Sequence, residues 1–381
     1  MPYLTKTGVI GVAIMPRVTG DRRSLEELIY DVTQLALRDA GLVIDDIDGI
    51  VVSANDQYDG RAISVMAASG SVGGVDRDIL STPSAGEHAF VMGTLRVASG
   101  QYRTQLVVAW SPTEASPLAE AQRLAADPYY HRRLPLDEPA SHALQANALL
   151  AAVPGLAEMA RAVAEKNRRN GARAYPDLVR GVAAAKARRW PLQEGMMAEP
   201  ATGAVALVLA TEAFARERGV ADVAWISGMG WATEPSFLGD RDLAEAPALH
   251  AAAQQAYAES GITDPGEAID VAEIADATPF QELLAYEALG LAPRASWEAR
   301  VADGRFGPEG KLPVNLSGGA QSLNPVFCTG LIRIAEAVNQ VRHRAGGHQR
   351  AGARLGLAHA ASGFAMQYNT VVVLNREGEA A

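Results

Sequence analysis

Short apolar runs alternate with longer amphipathic stretches over most of the chain. Residues 8–15 (GVIGVAIM) form an apolar run with glycines, the pattern of a buried first strand. Ser24, with Glu27 three residues later, makes a capping box that predicts a helix over 25–40, stopped by Gly41. Asp45, Asp46 and Asp48 lead into a second strand at 49–53, followed by a helix over 86–99 and a strand at 105–110. The order then recurs: a strand at 223–228, a helix opened by Pro247 and ended by Gly261, a strand at 269–275, a helix over 328–344 and a strand at 370–374. The helix–glycine–aspartate–strand passage at 36–52 thus has a counterpart at 257–274. A repeat of roughly 220 residues is too long for a solenoid and predicts two duplicated α/β halves with mostly parallel strands.

The segment 112–200 breaks this rhythm. It holds the cluster Asp127-Pro128-Tyr129-Tyr130 and a helical run over 155–170, and a strand at 203–210 then completes the first half. The expected organisation is a first half of 1–111 with 201–218, an inserted helical cap of 112–200 and a second half of 219–381. The later cap is basic, with nine Lys/Arg against Glu165 and Asp177 between 161 and 189.

Composition narrows the possibilities. The chain is 48% hydrophobic and 20% charged, with a formal net charge of −10, which disfavours duplex nucleic acid as a partner. A local basic patch can still receive a small anion. The single cysteine, Cys328, excludes a disulfide within the chain and fits a reducing cytoplasm. The N-terminus carries no signal-peptide pattern and no stretch reaches the ~20 apolar residues of a membrane span, so a cytoplasmic protein is expected. Phosphate-loop, dinucleotide and zinc-ligand spacings are missing, so no metal or redox cofactor is expected.

Several local motifs occur in a telling order: Gly86 with Ala89, Ala98-Ser99-Gly100, Gly203-Ala204, Glu273 with Asp276 and Phe280, and Glu287 with Leu289-Gly290. The most specific is Pro313-Val314-Asn315-Leu316-Ser317-Gly318-Gly319, followed by Asn324-Pro325 and Thr329-Gly330. Together they resemble the thiolase superfamily, most closely its sterol-carrier and lipid-transfer branch, over nearly the whole chain. The resemblance implies an αβαβα layered thiolase fold with an inserted cap, a homodimer paired through the strand near Val107 to Trp110, and an acyl-CoA ligand.

The resemblance breaks at the chemistry. Thiolases attack a thioester with a cysteine thiolate at a helix N-terminus. Here the matching loop reads Ser81-Thr82-Pro83-Ser84-Ala85-Gly86, with Pro83 at the cysteine position and Ser84 beside it. The histidine of the family's glycine-histidine-proline triplet is Asn324, the later cysteine is Ala361, and a position often held by histidine or tyrosine is Ala275. Asparagine can donate to an oxyanion but takes no proton at neutral pH. Acyl-cysteine chemistry is therefore not expected, and Cys328 reads as a small core residue.

Some thiolase-fold proteins without the cysteine, in steroid side-chain degradation, are retro-aldolases that cleave a β-hydroxyacyl-CoA with a small zinc-ribbon and OB-fold partner, and the resemblance implies that reaction here. This reaction needs a base for the β-hydroxyl and donors for the enolate. The local candidates for the base are Glu87, His88, Asp276 and His359, of which His88 or His359 is favoured, with Asn324 as oxyanion donor. Asp276 matches a residue the family keeps, often for holding loops. Ser84 would serve only with a base in reach, and Glu87-His88 could equally complement the helix dipole and pack. By the resemblance, the basic cap offers Arg168, Arg169, Lys186, Arg188 and Arg189 to coenzyme A, with Gly318 and Gly319 below. The alternative is a catalytically silent subunit that binds acyl-CoA or supports an active thiolase paralogue.

Overall fold

The computed structural model describes residues 5–17, 21–112, 115–179, 189–193 and 195–376. Its strands are β1 (Thr7–Pro16), β2 (Gly49–Ser53), β3 (Asp78–Thr82), β4 (Thr104–Ser111), β5 (Gly203–Thr211), β6 (Ala224–Thr233), β7 (Val271–Ile274), β8 (Leu355–Ser362) and β9 (Tyr368–Asn375). They form one sheet in the order β3-β2-β4-β5-β1-β6-β9-β8-β7. The helices that position the site are α1 (Leu25–Ala40), α2 (Gly86–Ala98), α3 (Leu118–Ala125), α4 (Glu138–Ala152), α5 (Leu156–Ala174), α6 (Pro247–Ser260), α7 (Pro279–Ala288) and α8 (Thr329–Val341).

The duplication shows in the pairing. β1 and β6 meet only through Gly8–Trp225 and Val9–Ala224. On either side of that seam the scheme repeats. β2/β4 and β7/β8 are parallel, whereas β4/β5 and β8/β9, then β5/β1 and β9/β6, are antiparallel. β1 and β6 both carry a register shift, between Val9 and Gly11 and between Ile226 and Gly228. At each shift a glycine touches the outer helix. A Cβ on Gly11 would stand 2.5 Å from the Ala36 carbonyl oxygen of α1, and one on Gly228 would stand 2.0 Å from that of Ala256 on α6. Only glycine lets strand and helix approach so closely.

Alternation along the strands makes the layers. In β4, Leu106, Val108 and Trp110 face α1, while Val107 and Ala109 face α2 and α8. In β9, Val371 and Val373 face α6, while Val372 and Leu374 face the same central helices. The result is the expected αβαβα arrangement, with α2 and α8 in the middle layer.

Two expectations need correction. The sheet is mixed rather than mostly parallel. Helices cover both faces, so an antiparallel strand such as β5 carries the same unbroken apolar run as a parallel one. The strand holding Val107 to Trp110 lies between β2 and β5 with both edges paired, so it offers nothing to a second subunit. The open edge of this half is β3, a short and half-exposed strand whose sequence, DILST, gives little apolar signal. Among the described residues no helix is long and apolar enough to cross a membrane.

Candidate active site

A cavity of about 490 Å³ opens where the N-terminus of α2 meets the loops before α8 and after β8. Its floor is lined by Pro83, Ser84, His88, Asp276, Asn324, Thr329 and Ser362, and its cap wall by Gln122, His131, Glu138 and His142. Ser84, His88, Asn324 and Asp276, far apart in sequence, thus meet in one place.

The nucleophile loop is held by its own backbone. Ser53 Oγ donates to the Ser84 carbonyl (2.6 Å), Asn55 Nδ2 donates to that of Pro83 (2.9 Å), and Gly86 N–H donates to the Phe327 carbonyl (2.9 Å). α2 therefore starts against the loop before α8. Gly86 suits this junction, since a Cβ there would stand 2.9 Å from Ala109 and 3.0 Å from Leu331. No side chain among the described residues hydrogen-bonds the Ser84 hydroxyl, so no described base is positioned to activate it. Cys328 is fully buried outside the cavity. Burial, then the nearby Glu87 charge, pushes its thiol far above the usual range. Glu87 is itself buried under α8, with neither carboxylate oxygen partnered among the described residues, and Gly330 leaves room for it.

His88 is half-buried on the floor, edge-on to Tyr368 at 5.6 Å, and its ring nitrogens make no hydrogen bond among the described residues. Asn324 is oriented: Thr329 Oγ1 donates to its Oδ1 at 2.7 Å, while its Nδ2 reaches only the Ala198 carbonyl, at 3.4 Å. One amide hydrogen is thereby left for a ligand. His359, by contrast, does not line the cavity. It is wholly buried, Nε2 lies 3.1 Å from Asn369 Oδ1, Nδ1 has no partner among the described residues, and burial lowers the imidazole to about 4.

The long motif before α8 is scaffolding for these loops. Asn315 accepts from Ile274 N–H of β7 at 2.8 Å and donates to Glu282 at 2.8 Å. Ser317 donates to Glu273 at 2.6 Å, and Arg333 of α8 reaches both, at 3.0 and 2.7 Å. Lys166 of α5 pairs with Glu282 at 2.7 Å. Asn167 donates to both Glu282 and Asp276, at 2.6 and 2.8 Å. Burial, then the Glu282 charge, pushes the Asp276 carboxyl well above the usual carboxylate range. Gly318 and Gly319, expected at coenzyme A, are buried here instead. A Cβ on Gly319 would stand 2.1 Å from Asp276 Oδ2, and one on Gly318 would stand 2.4 Å from Gly171 of α5.

Among the described residues the basic cap does not gather into one patch. Arg168 lies against its own helix, with Nε donating to the Ala164 carbonyl at 3.3 Å. Arg169 faces a separate cavity of about 380 Å³ beside Phe306 and Glu309. Arg189 pairs with Asp137 at 3.0 Å on the surface, and Lys186 and Arg188 lie outside the described residues. None of the described three lines the main cavity.

The cap wall carries residues that the sequence reading missed. Glu138 and His142, one turn apart on α4, bring Glu138 Oε1 to 3.5 Å from His142 Nε2. Gln122 of α3 donates to Glu138 Oε2. Gln281 Nε2 donates to Gln145 Oε1 at 3.0 Å and stands 3.0 Å from His142 Nδ1. Burial works against ionisation of Glu138, but His142 and Gln122 outweigh it and hold the carboxyl below its usual range. Tyr58 is raised by burial and by the Glu138 charge. His131 is buried with its Nε2 unpartnered among the described residues. The signal available in the sequence was the i, i+4 spacing of Glu138 and His142 after the capping Asp137. Among the described residues no three His, Cys, Asp or Glu side chains group as a metal site.

The Thiolase C-terminal domain-like family matches residues 230–376. Human sterol carrier protein 2 is 37% identical over 163 residues, 41% of this chain and 29% of that protein. The benzoylsuccinyl-CoA thiolase subunit BbsB of Thauera aromatica is 31% identical over 172 residues, 45% of this chain and 44% of that subunit. The chain is thus matched over less than half the length of these relatives. The structure of the Ltp2-ChsH2(DUF35) aldolase superposes with a TM-score of 0.79 at 22% identity, covering 98% of this chain and 99% of that one. Residues 230–376 thus match the Thiolase C-terminal domain-like family, and the doubled α/β architecture with the loop motif built around Asn315 and Ser317 gives the chain a thiolase fold similar to that of the sterol-carrier-protein-2-like branch.

Proposed function

We propose that the chain cleaves a carbon–carbon bond in a β-hydroxyacyl-CoA by a retro-aldol reaction that forms no acyl-enzyme. The observation that carries this reading is the floor of the cavity. Pro83 occupies the position matching the family's nucleophile, the Ser84 hydroxyl has no activating partner among the described residues, and yet Asn324, lining the cavity, keeps one amide hydrogen without a partner. A site that stabilises a thioester enolate needs the last of these and not the first two. His88, unencumbered on the same floor, transfers a proton at the carbon next to the thioester.

The likeness to the Ltp2-ChsH2(DUF35) aldolase supports the reaction class and a small DUF35-type partner chain. The benzoylsuccinyl-CoA thiolase relative supports coenzyme A as the carrier. The open β3 edge is where two copies would join their sheets. The test is incubation of the protein, alone and with a co-expressed DUF35-type chain, with a branched β-hydroxyacyl-CoA, following the carbonyl product and the shortened acyl-CoA. Cleavage that survives Ser84→Ala but falls at least a hundredfold in His88→Ala is expected. Thioester binding without turnover in every preparation would instead identify a silent binding subunit.

A further inference from the structure

We propose that Glu138, on the cap wall, is the base that removes the β-hydroxyl proton, and that His142 and Gln122 are its positioning residues. The proposal rests on the retro-aldol reading above and assigns the half of the proton transfer that the floor does not supply.

The hydrogen bonds fix the protonation pattern. The Gln281 amide nitrogen has two hydrogens; one goes to Gln145 Oε1 and the other to His142 Nδ1. His142 Nδ1 is therefore an acceptor, and the ring proton sits on Nε2, facing Glu138 Oε1. In that state His142 is a donor that cannot take a second proton without losing Gln281. The carboxylate is the partner able to act as a base, and it is also the accessible one. The Glu138 side chain is 28% exposed, against 5% for His142. With Gln122 donating to its other oxygen and His142 Nε2 standing 3.5 Å from Oε1, the carboxylate is held in place at the cavity wall and keeps acceptor capacity free.

Placement agrees with the chemistry. Asn324 and Glu138 line the same cavity, so in this proposal the thioester oxygen sits at Asn324 on the floor and the β-hydroxyl at Glu138 on the cap. Glu138 takes the hydroxyl proton, the oxygen lone pair forms the new carbonyl, and the Cα–Cβ bond breaks. Its electron pair enters the enolate held at Asn324, and protonated His88 delivers a proton to Cα. Water then accepts the proton from Glu138 and restores that of His88, so no further reactant is consumed.

The test is Glu138→Gln, which keeps the shape and an acceptor for His142 but removes the base. Turnover of the β-hydroxyacyl-CoA is expected to drop by about 10²–10⁴-fold with KM within about threefold of wild type. Wild-type turnover in the variant would overturn the proposal and leave the retro-aldol reading standing. Should wild type itself not turn over, that reading fails, and Glu138 is judged by binding alone. Calorimetry would then compare the β-hydroxyacyl-CoA with the acyl-CoA lacking the hydroxyl. An about tenfold preference for the hydroxyl compound, lost in Glu138→Ala, supports Glu138 as the hydroxyl site. An unchanged preference overturns it.

Discussion

The floor and the cap wall of the cavity are built on opposite principles. The floor is a set of loop ends clamped from behind by buried charge: Glu273 with Arg333 and Ser317, and Glu282 with Lys166, Asn167 and Asn315. The cap wall hangs its polar groups on helices and lets them hold each other, Gln122 to Glu138 to His142 to Gln281. The difference teaches where precision comes from. A loop needs a partner for every buried group to keep one shape, whereas a helix already fixes the spacing of two side chains and needs only an orienting contact.

The sharpest way to break this contrast is to cut the clamp behind the floor. Glu282→Ala would leave Lys166 buried and uncompensated, and we expect a loss of about 3–5 kcal/mol in chemical denaturation. Glu138→Gln on the cap should leave stability within about 1 kcal/mol while changing turnover. Asn324→Ala probes the floor's chemistry rather than its frame. The loss of one oriented donor should lower kcat by about 10²–10³-fold with a small effect on KM, measured on the same β-hydroxyacyl-CoA.

Acid titration sharpens the comparison further, through two groups with opposite signs. The pKa of His359 is depressed to about 4, so its contribution to stability is present above the unfolded value near 6.5 and is lost as pH falls through 4. Asp59, beneath Trp110, is raised by burial to about 6, so its contribution is present below about 4 and is lost as pH rises through 6. Each is worth about 3 kcal/mol. His359→Gln should therefore flatten the acid-side fall in denaturation midpoint, and Asp59→Asn should raise the midpoint at pH 7 more than at pH 4. The smallest effect belongs to Ser84→Ala, expected to change turnover by less than about twofold. A large loss would mean that the serine acts covalently and would reverse the reading of the floor.

Much of the frame was legible from residue order. The capping box of Ser24 and Glu27, the left-handed Gly41 and Gly261, and the apolar runs of β1, β2, β4 and β5 lie where local physics puts them. The floor was legible too, because Ser84, His88, Asp276 and Asn324 sit in motifs with fixed spacing. β3 was not, since a short edge strand with one polar face carries no periodic signal.

What the sequence determined by itself, then, was the doubled architecture and the absence of a thiolate at residue 83, since a proline carries none in any fold. What only the tertiary structure decided was which polar groups face the cavity. His359 and Asn324 both precede loops at the site, yet packing buried one behind β9 and opened the other beside Thr329. Glu138 and His142 were ordinary surface spacing on an isolated helix until α4 was laid over the floor. Orientation is a long-range property: it depends on which face of a helix meets another element, and residue identity alone does not encode that meeting.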